Sequence, residues 1–461
     1  MDLHATLIRN VIGPLWARWE GSPYLRHYKR LQQTQYDSPA SIQAKQWPAI
    51  HSLVEHAYAT VPYYRQRLDQ VGLRPNAIHG FDDFRHIPIL TKADLRSRRD
   101  SIISSKHGLD GLHLKQTSGS TGVAVDVFVD EAAHQFKRAC TLRSDEWSGW
   151  RFGEGVARIW GNPDSSKRGW RGRVRNALLD RTYYLDSLRV NRAALARFAE
   201  EVASHKPTLL FGHAHSLCLF AEYVRSAAQV VIRPRGIIAT AMVLHNWQRQ
   251  VIEEVFQCRV TNRYGCEEVS LIACECDRHA GLHINAEGVY VEILRDGRPA
   301  DPGEPGSVVV TDLANRAMPI LRYHVGDVAV LSDTLCPCGR GLPMLQRLEG
   351  READYVVTPA GELISGISLT DHFALHMPGV VQVQIIQETV RRLVFRIVRG
   401  SDFGPASLQR IAELVENRFG PEMSFVCEYL DNIPQEPSGK YRFCISRVEN
   451  PFIRRQEVSV P

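Results

Sequence analysis

No run of apolar residues in this 461-residue chain approaches the roughly 18–20 residues that a membrane-spanning helix needs. The first ten residues, Met1 to Asn10, have neither a basic leader region nor a small-residue cleavage site. No secretion signal is therefore expected, and the chain is read as cytoplasmic. Charge of one sign is not in large excess. A formal net charge of +5 does not indicate nucleic acid and suits anionic small molecules such as nucleotides. A G-x-x-x-x-G-K-[ST] loop is absent, which removes the Walker type of phosphate site. A clear Ser/His/Asp or Cys/His triad is absent too. The 44% hydrophobic and 23% charged residues describe an ordinary globular chain of two or three domains.

What is present centres on Gln116-Thr117-Ser118-Gly119-Ser120-Thr121-Gly122. Glycines allow the φ > 0 conformations in which successive backbone N–H groups converge on an anion, and Ser and Thr add donors. Val123 to Val129 alternates like a strand, where a Walker loop would have a helix. On its own the heptamer also fits a plain Gly/Ser turn. Upstream, Gln43 to Ala59 reads as a helix, a further turn of helix stops near Gly72, and Thr91 caps a helix after Pro88 to Leu90. Leu7, Ile8, Val11, Ile12, Leu15 and Trp16 fall at helical spacing, which predicts an amphipathic helix packed on the body. A membrane-surface helix is the alternative, with a polar face that is not strongly basic.

Downstream, Ala132 to Trp147 and Ala193 to Ser204 read as helices. Val156 to Gly161, His205 to His213 and Ile237 to Met242 read as strands. Lys167 to Arg175 is basic with two glycines; it fits a solvated surface loop, or a landing strip for the phosphates of a ligand or for an acidic carrier protein. Val381 to Gln387 and Arg392 to Val398 alternate like paired strands, and Leu408 to Phe419 is a helix, an α+β pattern of its own.

The stretches HAYATVPYYRQRL, IPILTKADLR and QTSGSTG resemble the phenylacetate–CoA ligase-like branch of the adenylate-forming superfamily, which also holds acyl-CoA synthetases and peptide-synthetase adenylation domains. The resemblance runs from about residue 30 to about residue 445. It implies an α/β fold in two parts: an AMP-binding domain over 1–350 of layered sheets and helices, and a small mobile α+β lid over 351–461. It implies that Thr117, Ser118, Gly119, Ser120, Thr121 and Gly122 hold the β- and γ-phosphates of ATP. Tyr264-Gly265-Cys266-Glu267-Glu268 matches the family's Y-G-x-x-E. There Tyr264 would stack on adenine, Gly265 would allow close backbone approach, and Glu268 would hold Mg²⁺.

Leu321 to Asp327 matches Y-x-x-G-D, with Asp327 on the ribose hydroxyls. Gly350-Arg351-Glu352-Ala353-Asp354 matches the G-R-x-x-D boundary, with Arg351 reaching the nucleotide and Asp354 at the hinge. Pro437-Ser438-Gly439-Lys440-Tyr441-Arg442 matches the terminal S-G-K-x-R, which makes Lys440 the adenylation lysine. Glu268 and Asp327 are expected to meet only ligand and Mg²⁺. The acyl pocket would lie at His213, Ala241 and Met242. His213 fits a core histidine equally well, and many family members carry Glu where Met242 stands.

The implied reaction joins a carboxylic acid to ATP as an acyl-adenylate, releasing pyrophosphate, and a coenzyme A thiol then displaces AMP. Transfer to an acyl-carrier protein or to an amine of a saccharide or amino acid is the second reading. A binding protein that kept the fold without catalysis is the third. Six of the ten cysteines lie between Cys258 and Cys338, four of them in an insert around 274–340. Cys276, His283, Cys336 and Cys338 would complete a tetrahedral Cys₃His structural zinc site, with Cys274 and His279 as alternates; free buried thiols are the plain reading.

Overall fold

A computed structural model of the chain describes residues 2–116, 125–160, 170–187, 192–227, 230–351, 355–360, 363–365, 379–434 and 442–448. The calls on Thr117–Gly122, Asp354 and Lys440 therefore lie outside the described residues.

A hairpin comes first: β1 (His113–Gln116) pairs antiparallel with β2 (Asp126–Val129), so the Gly/Ser loop joins two paired strands. The main sheet follows. Its strands are β3 (Val156–Trp160), β4 (Thr182–Asp186), β5 (Leu209–His213), β6 (Gly236–Thr240), β7 (Val260–Cys266), β8 (Ser270–Glu275), β9 (Leu282–Ile284), β10 (Val289–Arg295), β11 (Arg298–Pro299), β12 (Pro305–Asp312), β13 (Tyr323–Leu331) and β14 (Met344–Arg351). They run in the order β11-β10-β12-β13-β14-β9-β8-β7-β6-β5-β3-β4. From β4 to β7 every pairing is parallel, and from β7 outward every pairing is antiparallel.

Every residue of β5 and β6 is buried, as a parallel strand covered on both faces requires. Leu210 packs with Leu217, Phe220 and Phe256 from helices Ala214–Ser226 and Asn246–Phe256. Leu209 and Phe211, one residue either side, face Leu142 and Trp150 on the opposite layer. The strand begins at Leu209 rather than His205, because helix Arg192–His205 takes in His205, one residue beyond the expected Ser204, and Lys206 to Thr208 make the turn.

The smaller unit starts with the hairpin β15 (Tyr355–Val357) and β16 (Leu363–Ser365). It continues as a four-stranded sheet, β19 (Ser424–Tyr429), β18 (Arg392–Arg399), β17 (Val380–Thr389) and β20 (Cys444–Ser446), in that order. Helix Pro405–Phe419 buries Ile411, Val415 and Phe419 against Ile385, Phe395 and Ile397 of the sheet, a core separate from those of the main sheet. Gln387 ties the hairpin to this sheet, accepting from Val357 N at 2.9 Å and donating to Val357 O at 2.7 Å.

Two expectations need correction. The N-terminal helical run Leu3–Trp19 buries Ala5, Ile8, Gly13 and Ala17, and leaves Leu7, Val11 and Leu15 outward. Both sides of this helix are apolar, so periodicity alone could not say which side packs. Within Lys167–Arg175, residues Trp170–Arg175 are helical; the two glycines there suggested a loop, but neighbouring helical residues carry the turn on into 176–180. The Thr91 cap is as the sequence suggests, a reciprocal box with Asp94. Among the described residues no helix is long and apolar enough to cross a membrane.

Candidate functional site

β7 and β8 are joined by a turn that only glycine permits. A Cβ on Gly265 would lie 2.4 Å from the carbonyl oxygen of Ser270. The tight turn brings the 5% exposed carboxylate of Glu268 under β13, where Tyr323 donates its hydroxyl to Glu268 Oε1 at 2.8 Å. One step along, Tyr264 donates to Asp327 Oδ2, also at 2.8 Å. Two tyrosine–carboxylate pairs thus cross between β7–β8 and β13. Burial first, and then the Glu268 charge, push the Tyr323 hydroxyl far above its ordinary range, so it stays a donor. The expectation that these carboxylates meet only ligand and metal is corrected: each also holds a phenol, which sequence distance concealed.

The N-terminal motifs hold β13 in place. Leu90 N donates to Arg322 O at 3.0 Å, and His324 N to Leu90 O at 2.9 Å. Tyr64 Oη donates to Pro319 O and accepts from Leu321 N, both at 3.0 Å. Arg322 has φ +48° and is buried. Its guanidinium bonds both oxygens of Glu292 and the carbonyls of Arg85 and Ile87, which satisfies a charge that would otherwise be costly to bury. Tyr323, Arg322, Tyr64 and Leu90 are functional supports that sequence reasoning passed over. The available clue was that VPYY, IPIL and Y-x-x-G-D occur together, and only the last was read for a role.

Register puts Arg351 opposite Asp327 across β13 and β14. The Gly/Ser loop springs from Gln116 and Asp126, which are cross-strand partners bonded at 2.9 Å. Lys115, just before it, donates to Ser270 Oγ at 3.0 Å and so ties the hairpin to the Gly265 turn. His213 and Thr240 are paired at the ends of β5 and β6, next to Arg263 and Tyr264 on β7. His213 is 2% exposed, its ring 4.1 Å from that of Trp160. Ala241 turns at φ +63°, and Met242 packs against the adjoining core. A cavity of about 1160 Å³ lies elsewhere, between the N-terminal helix and β3–β5, walled by Trp19, Arg138, Trp150, Arg158 and Phe211. None of His213, Ala241 and Met242 lines it.

A second constellation sits where β8, β9 and β14 meet the Cys336-Pro337-Cys338 turn. The ligand atoms of Cys276, His283, Cys336 and Cys338 all lie within 4.8 Å of one another. Cys276 Sγ is 3.6 Å from Cys336 Sγ, and Cys338 Sγ is 3.3 Å from His283 Nε2. Tetrahedral zinc with Zn–S of about 2.3 Å would set sulfurs about 3.8 Å apart, so the set fits with little adjustment. Backbone N–H groups of Arg278 and Arg340 point at Cys276 and Cys338 sulfurs, each at 3.4 Å, as expected around thiolate ligands.

Burial pushes His283 down to about 4, which keeps its ring neutral and ligand-competent. Burial pushes the metal-free Cys276 thiol up to about 12. Cys338 sits below its usual range, because the backbone and side chain of Arg340 outweigh the burial. The alternates are otherwise engaged: His279 Nδ1 meets Glu275 at 3.1 Å, and Cys274 lies outside the cluster. Trp147 packs edge-on to His283, and Gln35 accepts from both Trp147 Nε1 and Arg340 Nε at 3.0 Å. The turn thereby clamps helices Tyr24–Thr34 and Glu131–Glu146 to the sheet.

Residues 356–447 match the family model of the CapK C-terminal domain. The chain is 24% identical to Protein CapK of Staphylococcus aureus over 378 residues, 80% of this chain and 81% of that one. It is 26% identical to the phenylacetate-coenzyme A ligase of Thermus thermophilus over 328 residues, 68% and 72% of the two chains. Among solved structures, 2-hydroxyisobutyryl-CoA ligase in the postadenylation state superposes with a TM-score of 0.74 at 19% identity, over 90% of this chain and 91% of that chain. The same ligase in its thioesterification state gives 0.59. Along most of its length the chain is thus similar to CapK and to the phenylacetate–coenzyme A ligases, and its fold is that of 2-hydroxyisobutyryl-CoA ligase.

Proposed function

We propose that this protein activates a carboxylic acid with ATP, releasing pyrophosphate, and then passes the acyl group to the thiol of coenzyme A, releasing AMP. One observation carries the reading: Tyr264–Asp327 and Tyr323–Glu268 form adjacent pairs beside the ends of the parallel strands, where ligands of open α/β sheets bind. The relatives' names, phenylacetate-coenzyme A ligase among them, agree with it. Thr117–Gly122 cradles the β- and γ-phosphates, Asp327 and Arg351 take the ribose side, and Tyr264 presents its ring to adenine. Glu268 is the Mg²⁺ ligand, and Mg²⁺ offsets phosphate charge when bound. Lys440 offsets the charge that develops between carboxylate and α-phosphate. His213, Ala241 and Met242 border the acyl group. The division falls near residue 351, with Asp354 as the hinge, and the work is cytoplasmic, where ATP and coenzyme A are at hand.

The Cys₃His cluster is proposed as a structural zinc site. Four protein ligands close a tetrahedral shell and leave no position for substrate. A carrier-protein thiol or an amine is the second reading for the acceptor. Product analysis with each acceptor separates the two.

The geometry also selects the variants. Glu268→Gln and Asp327→Asn each keep an oxygen that accepts from Tyr323 or Tyr264, so the fold is retained while the anion is removed. Each is expected to lower acid-dependent pyrophosphate release by roughly 10²–10³-fold with an unchanged melting temperature. Near-full activity in either variant would remove that residue from the site.

A further inference from the structure

We propose that the N-terminal helical run Leu3–Trp19 docks this protein on an anionic lipid bilayer. Its inward side, Ala5, Ile8, Gly13 and Ala17, is packed on the body. Its outward side is apolar as well: Leu3 is 79% exposed, Leu7 49%, Val11 44%, Leu15 59% and Trp19 78%. These five recur every four residues. In a regular α-helix such a row drifts by about 40° per step. Residues Ile8–Ile12 form a π-helical turn, and its wider winding takes part of that drift back, which straightens the stripe. Val174 and Leu178, 44% and 41% exposed, extend the patch from the neighbouring helical segment, which Arg175–Glu20 and Arg181–Asp2 contacts hold beside it.

The charges around this surface favour a lipid over a second copy of the chain. Arg18 and Arg173, on the two segments that carry the patch, and Arg26, Lys29 and Arg30, on the helix Tyr24–Thr34 that follows, are exposed and make no ion pair among the described residues. Asp2 and Glu20, the acidic residues of the first 35 positions, are already paired with Arg181 and Arg175. A self-facing two-fold contact would bring the same cations against their own copies, whereas anionic headgroups neutralise them at about 1 kcal/mol per cation. Trp16 and Trp19, edge to face at 5.4 Å, are the residue type that settles at the headgroup boundary. Trp19 and Val174 also line the 1160 Å³ cavity. This surface is independent of the acid-activating chemistry.

Vesicle flotation tests it. The protein is expected to float with equimolar phosphatidylcholine–phosphatidylglycerol vesicles, to bind phosphatidylcholine alone weakly, and to release as salt is raised. Leu7→Glu with Leu15→Glu should weaken binding by about ten-fold or more, and Trp19→Ala should weaken it less, with melting temperatures unchanged at these outward positions. Val231→Glu, 66% exposed in the segment that precedes β6, should bind as the parent does. The proposal is overturned by failure to float with the anionic vesicles, by binding that the double variant does not weaken, or by a parent dimer that the double variant converts to monomer.

Discussion

Lys440→Ala is expected to slow acyl-adenylate formation by roughly 10²-fold or more, while a supplied acyl-adenylate still becomes thioester at close to the parental rate. The separation rests on the residues that follow the lysine in sequence. Just beyond it, Arg442 O accepts from Gln384 Nε2 at 2.8 Å and Phe443 O accepts from Ile385 N at 2.7 Å, fixing this strand entry on β17. The Phe443 ring lies edge-on to His245 of the large domain, at 4.8 Å. The smaller unit therefore meets the larger one beside this strand entry. A charge delivered by one domain arrangement serves the step run in that arrangement, and a lid that moves away removes it from the other. Single-turnover measurement of the two half-reactions decides the matter. Equal loss in both would contradict the two-arrangement scheme.

The second large effect is on stability. Purified protein is expected to hold about one zinc per chain, as one closed four-ligand set requires. Cys336→Ser or Cys338→Ser should lower metal content and melting temperature together. A structural zinc contributes about 10–16 kcal/mol in isolated fingers. Even a third of that, at about 2–4 °C per kcal/mol for a sizeable domain, is a fall on the order of 10 °C. The reason is topological. The turn is the meeting point of β8, β9 and β14, and Leu31, Ile42, Trp147, Leu342 and Met344 share its apolar cluster.

Bound thiolates carry fewer protons than free thiols, whose pKa burial raises at Cys276 and Cys336. Metal retention should therefore weaken as pH falls, and the stability it supplies should be lost in the same direction. Cys140 is a poor control because it is buried in this same cluster. Cys427 on β19 is the better one: Cys427→Ser should leave metal unchanged. Activity per folded molecule should fall far less than stability, and metal-free protein with an unaltered melting temperature would return these residues to plain buried thiols.

Much of this was readable from local patterns. The alternation in Val381–Gln387 and Arg392–Val398 marks two strands, and the structure pairs them, although both sides are buried over Val383–Gln387 and Leu393–Phe395. Cys-Pro-Cys is uncommon enough, and Cys276 and His283 close enough in sequence, for the four ligand candidates to be chosen in advance. Contacts that join distant segments were not readable. Nothing local says that Leu90 pairs with Tyr323, that Tyr64 caps the turn at Pro319, or that Glu268 and Asp327 each hold a tyrosine. The outward face of Leu3–Trp19 escaped for a different reason. Apolar residues occur all round that helix, so its periodicity fixes the element but not its orientation.

Acid-dependent exchange of labelled pyrophosphate into ATP tests the central claim most directly, since it requires reversible acyl-adenylate formation and no acceptor. Across aryl, fatty and hydroxy acids, at least one class should support exchange, with none in the absence of acid and a loss of roughly 10²-fold or more in Glu268→Gln. Protein that binds ATP yet exchanges with no acid, or exchanges equally without one, would contradict the account.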